Sequence, residues 1–236
     1  MTRRLVAVVG LWALVCAGLA AADFWEDKPF LMWSDKEVDK IITDSPWAQK
    51  VNVVIQGGPT ADITSGGTGR INAGGGGGDD GGGGGRGGGG GRGGGGDVQQ
   101  LRLTMTWRSA LPIKQAVVRG GVGLGGVVST PAQAVLDQKE AFYVVTIAGV
   151  PARYSRQAGN LKDVTVLRRD KKPDIIVSDI RVEQDQGNLL LGFFFPRTDA
   201  ITLDDKEVEV FTKLGEVEIK KKFKPKDMVF HGQLEM

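Results

Sequence analysis

Cysteine and histidine are almost missing from this chain: among 236 residues there is one of each, Cys16 and His231. A structural zinc site needs several thiolate or imidazole ligands, and a Ser-His-Asp triad would have to be built on His231 alone. The strand-like surroundings of that histidine, Val229, Phe230 and Leu234, suit a structural residue better than a base. No G-x-S-x-G elbow is present either. Net charge is also scarce. The 30 Lys plus Arg stand against 28 Asp plus Glu, and without Arg3 and Arg4 the remainder balances at 28 against 28. Nucleic-acid binders carry a basic excess, which is absent here.

The chain also lacks an apolar run of spanning length, which takes about 20 residues. The longest, Leu5 to Leu19, follows Arg3 and Arg4 and precedes Ala20-Ala21-Ala22. That sequence of basic, apolar and small residues predicts a cleavable signal over 1–22, with the mature chain starting at Asp23. Cys16 would leave with the signal, so the mature protein would hold no disulfide, thiolate ligand or thiol nucleophile. Two other export readings fit less well. Leu14 and Val15 are bulky where a lipoprotein signal at Cys16 wants small residues, and Val6 stands where a twin-arginine signal prefers phenylalanine. Cleavage leaves no transmembrane anchor, and the expected location is periplasmic or secreted.

What is abundant is glycine. Of 37 glycines, 24 fall between Gly57 and Gly96, and from Gly74 to Gly96 the only interruptions are Asp79, Asp80, Arg86 and Arg92. Nothing in such a stretch buries apolar surface, so 57–97 is expected to be a disordered loop. The 23–56 segment is too short for a core of its own, which makes the tract a loop between two strands of one sheet. Loop-closure entropy grows by only about 0.6 kcal/mol per doubling of length, so a fold tolerates it. An RGG-type nucleic-acid segment would need aromatics and unopposed arginines, and the tract has neither.

Elsewhere the pattern is that of strands. Val51 to Gln56 is the first; Leu101, Leu103, Met105 and Trp107 then alternate with Arg102, Thr104 and Thr106. Further strands are expected over 141–148, 164–168, 174–183, 189–195, 207–213, 216–223 and 229–234, with turns between them at Asp170-Lys171-Lys172-Pro173, Asp185-Gln186-Gly187-Asn188 and Asp204-Asp205. The predicted fold is all-β: a single-domain antiparallel sandwich, of which the immunoglobulin-like type is one form, completed by 98–236. Helix is expected mainly near the N-terminus. Ser34 and Glu37 make a capping box, Val38, Ile41 and Ile42 an apolar stripe, and Pro46 a stop, while Ser45-Pro46 opens a turn carrying Trp47.

Three features are candidates for function. Gly121-Val122-Gly123-Leu124-Gly125-Gly126 fits G-x-G-x-x-G, but Val127-Val128 and Pro131 follow where a helix should start and the nearest later acids are Asp137 and Glu140, so it reads as a flexible loop. Lys220, Lys222 and Lys224 fall on one face of a strand, with Ile219 and Phe223 on the other, as a patch for an anionic ligand would require. A hairpin turn at Leu214-Gly215 would place Glu209 opposite Lys220 and Glu207 opposite Lys222, giving the lysines a structural role; Lys221, on the apolar face, would guard a sheet edge. Finally, Trp25, Trp33 and Trp47, with Phe24 and Phe30, could stack on sugars, anchor at a membrane interface or pack over an open end of the sandwich. No catalytic residue, metal ligand or cofactor site emerges.

Phe24-Trp25, Lys28-Pro29-Phe30, Trp33-Ser34, Ser45-Pro46-Trp47-Ala48, Trp107-Arg108-Ser109-Ala110-Leu111-Pro112, Phe195-Pro196-Arg197 and Lys226-Asp227-Met228-Val229-Phe230 together resemble an uncharacterised family of small exported bacterial proteins. The resemblance implies a shared fold and export, with no activity to carry over. The expected role is a non-enzymatic binding or structural component of the cell envelope, with an envelope protein or polysaccharide as partner and no nucleic acid. The alternative is a carboxylate-dependent hydrolase of envelope glycans.

Overall fold

The computed structural model describes residues 23–55, 61–62 and 99–236. The expected signal over 1–22 and nearly all of the glycine tract lie outside them. Three short elements open the described chain: helix α1 (Phe24–Asp27), a 3-10 turn (Phe30–Met32) and helix α2 (Asp35–Thr43). Helix α2 starts where the capping box predicts: the Glu37 N–H donates to Ser34 Oγ, and the Glu37 carboxylate accepts from the Ser34 N–H at 2.6 Å. Lys28 Nζ reaches the same carboxylate at 2.7 Å. Ser45 then ends the helix, donating to the Ile41 carbonyl and accepting from the Trp47 and Ala48 amides.

Two antiparallel sheets follow. The larger is built from β1 (Ala48–Ile55), β2 (Ala61–Asp62), β3 (Gln99–Trp107), β4 (Phe142–Pro151), β7 (Asp179–Asp185) and β8 (Asn188–Pro196), in the order β2-β1-β3-β4-β8-β7. The smaller contains β5 (Val166–Arg169), β6 (Lys172–Ile176), β9 (Val208–Leu214) and β10 (Val217–Phe223), in the order β10-β9-β5-β6. The chain leaves β1 at Ile55 and returns at Gln99 of β3, and these two residues face each other across one ladder. Ala61 and Asp62, placed by sequence in the glycine-rich loop, form a two-residue strand on β1.

Period-two alternation points one face of each sheet inward. Leu101, Leu103, Met105 and Trp107 meet Val208, Val210, Ile219 and Phe223 in one core, and the Trp107 and Phe223 rings touch edge to face at 5.6 Å. Gly149, at φ 88° in a bulge of β4, lies so close to β3 that a Cβ would come within 2.8 Å of the Arg102 carbonyl. Among the described residues no helix is long and apolar enough to cross a membrane.

Several expectations are corrected. Helix is not confined to the N-terminus: α3 (Leu111–Val122), α4 (Thr130–Asp137) and α5 (Leu161–Val164) lie further along. Pro112 starts α3 without losing a needed donor, and buried Ile113 and Ala116 anchor it despite the weak helix formers Gly120 and Gly121. The G-x-G-x-x-G run is therefore the end of a helix and its cap, with Gly123 at φ 82°. The single strand expected over 174–183 is two, because the Val177 N–H bonds to Thr165, just before β5 of the small sheet, and the Ser178 N–H to Phe194 of the large one. Two residues, Val177 and Ser178, thus carry the chain from sheet to sheet. The strand expected over 229–234 is a hairpin of β11 (Val229–Phe230) and β12 (Gln233–Leu234), with His231 in its turn at φ 47°.

Helices α1, α2 and α3 close one end of the sandwich, where β1 begins and β3 ends. The last residues hold this cap together. Trp47 Nε1 donates to the Glu235 carbonyl at 2.9 Å, the Leu111 N–H to the Glu235 carboxylate at 3.0 Å, and Arg197 to the Met236 carbonyl.

Two predictions follow from this end of the molecule. Lys28 first, and then the Ser34 N–H, hold the Glu37 carboxyl at about 2 against an ordinary 4.5. A carboxyl depressed on folding stabilises fully above its unfolded pKa, and that contribution fades as pH falls from 4.5 towards about 2. Protection of the α2 amides, taken relative to their unstructured exchange rates at each pH, should fall across that window, and Glu37→Gln should flatten that fall; identical protection profiles for the two proteins would refute it. Deleting Glu235 and Met236 should cost about 1–3 kcal/mol for each donor stranded in the interior, read as a lower unfolding midpoint.

Candidate functional site

Strand β10 is an edge of the small sheet, and β1 of the large sheet runs beside it without joining its ladder. Between them lies a cleft of about 1100 Å³. Its charged lining is unequal: Lys50, Lys220, Lys221, Lys222 and Lys224 against Asp44, Glu209 and Asp227. Gln49 and Asn52 supply neutral amides. Alternation explains the lysines. Val217, Ile219 and Phe223 take the buried face of β10, so Lys220 and Lys222 point out, and Lys224 continues the line in extended conformation at φ −106°, ψ 113°. Lys221 falls on the inward face, half-buried at the open edge opposite Val210, where an inward charge discourages pairing with another strand.

The hairpin register differs from the expected one. The turn is Gly215-Glu216, which pairs Leu214 with Val217, Lys213 with Glu218, Phe211 with Lys220 and Glu209 with Lys222. Leu214 is 1% exposed, and a turn at Leu214-Gly215 would have taken it out of the core. Moving the turn by one residue displaces every partner by two, so each side chain keeps its face. The Glu207–Lys222 ion pair survives as a diagonal contact at 2.9 Å, and Glu207 first, then Glu209, raises the Lys222 pKa. Glu209 is shared with Arg168 of β5, 3.3 Å away, whose guanidinium lies over the Phe211 ring. Lys220 contacts Glu218 at 3.9 Å. Lys50, Lys221 and Lys224 make no ion pair with a described residue.

The three tryptophans are elsewhere. Trp33 and Trp47 are fully buried and Trp25 is 5% exposed. Trp25 packs edge to face on Trp47, Phe24 on Trp33, and Trp47 on Phe230. The indole N–H groups of Trp33 and Trp47 are bonded to the Lys28 and Glu235 carbonyls. No ring face is left for a sugar, and the residues serve the end cap.

His231 is exposed in its turn, stacked on Phe230, with its N–H bonded to Glu26. Among the described residues no three His, Cys, Asp or Glu side chains converge as a metal site requires. A smaller cavity of about 310 Å³ beside α3 holds Lys114, Glu140, Arg197 and Glu235. Its charges are spent internally: Lys114 reaches Glu140 at 2.6 Å and the Gln138 carbonyl at 3.0 Å, and Arg197 lies over the Tyr143 ring. Burial lowers the Arg197 pKa, opposed by Tyr143, Glu140 and Glu235.

The sequence marks Lys220, Lys222 and Lys224, but not the opposite wall. Lys50 and Asn52 share the polar face of β1, and only the packing of β1 beside β10 brings them to the cleft. Compared with family models, curated proteins and solved structures, the chain matches none.

Glu207→Lys and Lys222→Glu should each destabilise the protein, and the double exchange should restore part of the loss. A double-mutant cycle in denaturant, run at low salt, measures the coupling, which should shrink as salt is added. Zero coupling at low salt would free Lys222 from a structural role.

Proposed function

We propose that the protein is an exported, non-enzymatic binding component of the bacterial cell envelope, periplasmic or secreted, that engages its partner through the cleft between β1 and β10. The observation that carries this reading is the convergence of five lysines from two sheets on one cleft, three of them without an ion-pair partner among the described residues. Charges left exposed together repel one another, and a ligand of opposite sign relieves that repulsion. The signal-like N-terminus and the resemblance to small exported bacterial proteins favour the envelope. A glycan hydrolase is supported less well. It needs two carboxyl groups facing across the substrate, one of them held protonated, and Glu209 of the cleft is instead ion-paired with Arg168.

A photo-reactive amino acid in place of Asn52, in cells that make the protein, tests the reading. The protein should fractionate with the envelope or the medium and form an adduct with an envelope component. Retention in the cytoplasm, absence of any adduct, or release of soluble fragments from purified envelope glycan would each overturn it.

A further inference from the structure

We infer that the occupant of the β1/β10 cleft is a linear, sparsely charged anionic polysaccharide, a conclusion that rests on the binding reading above and names its ligand. The first argument is spacing. Alternate residues of a strand lie about 6.6–6.8 Å apart, so Lys220, Lys222 and Lys224 form a row of cations roughly 13 Å long. Lys50 faces this row from the other sheet, so a chain lying in the cleft meets positive charge on both sides.

The second argument is what the lining lacks. None of its side chains is aromatic. Bases and neutral sugars draw much of their affinity from stacking on rings, so attraction here has to come from charge. Duplex nucleic acid suits the cleft poorly for a further reason. It carries one charge per about 1.7 Å of helix axis, and Asp44, Glu209 and Asp227, which stand among the lysines, would repel so dense an array. A polymer with a carboxylate on each sugar, or on every second one, carries fewer charges than a duplex and many hydroxyls. Gln49 and Asn52 carry amides that both donate to and accept from hydroxyls.

The third argument separates a polysaccharide from an acidic peptide. An extended peptide would match the same row, but it gains affinity chiefly by adding a strand to a free edge. Here Lys221 points inward at that edge, and an inward charge discourages pairing with another strand. Side-chain recognition of a non-peptide chain avoids that obstacle.

Titration of the purified protein with polygalacturonate, with dextran, poly-glutamate and a single-stranded oligonucleotide in parallel, tests the inference. Polygalacturonate should bind best, and its affinity should fall steeply between about 50 and 200 mM salt. The double variant Lys50→Gln/Lys224→Gln removes two exposed charges that stabilise no described partner. It should melt like the parent and bind roughly tenfold more weakly, as expected when two ionic contacts are lost. A control, Lys36→Gln/Lys162→Gln, alters exposed lysines outside the cleft and should bind normally. Glu207→Gln releases Lys222 and should tighten binding. Equal binding of dextran, preference for poly-glutamate or the oligonucleotide, or indifference to the lysine variants would overturn the inference. Failure to bind any polymer would overturn it too, while an Asn52 adduct with an envelope protein would leave the broader reading standing.

Discussion

The hydrogen bond from the Trp47 indole to the Glu235 carbonyl ties the start of the large sheet to the last residues of the chain. Around it the cap assembles. Trp47 is the ring against which Trp25 and Phe230 pack, and Glu235 also receives the first amide of α3. A tryptophan gains most from burial when its N–H finds an acceptor, and here the acceptor comes from 188 residues away. Helices α2 and α3 have narrow apolar faces and need a floor; the aromatic cluster and the sandwich end supply it. The aromatic richness of the N-terminal segment is thereby explained as packing.

The two long sides of the sandwich are finished differently. On one, the chain runs from β6 into β7 through Val177 and Ser178, so a continuous backbone joins the sheets. On the other, β1 and β10 lie side by side unjoined, and the gap is lined by lysines. Apolar residues there would expose an edge to other chains, whereas lysines keep it soluble and leave it charged. The same charge that protects the edge also concentrates positive potential along it.

Most of the architecture was legible because alternation is a local signal. The Leu101-to-Trp107 strand, the Ser34 capping box and the faces of β9 and β10 follow from side-chain spacing alone. What was not legible depended on distant partners. Helix α3 reads as a glycine-weakened segment until Ile113 and Ala116 are seen buried, and the corner at Val177-Ser178 needs Thr165 and Phe194 to exist. The hairpin was misplaced by one residue because opposite charges can pair directly or diagonally, while the burial of Leu214 decides the turn. For the site, one wall was in the sequence as a lysine row. The other, Lys50, carries no local mark at all.

That separation bears on when the cleft exists. The connections from Ile55 to Gln99, from Trp107 to Phe142 and from Pro151 to Asn188 are of similar length, and closure entropy grows only logarithmically, so the glycine-rich insertion adds little to the cost of pairing β1 with β3. Lys50 comes alongside β10 only when β1 is in place. Both walls of the cleft are therefore a property of the folded chain alone. Any occupant that touches both walls binds the folded state in preference to the unfolded one, and so stabilises it.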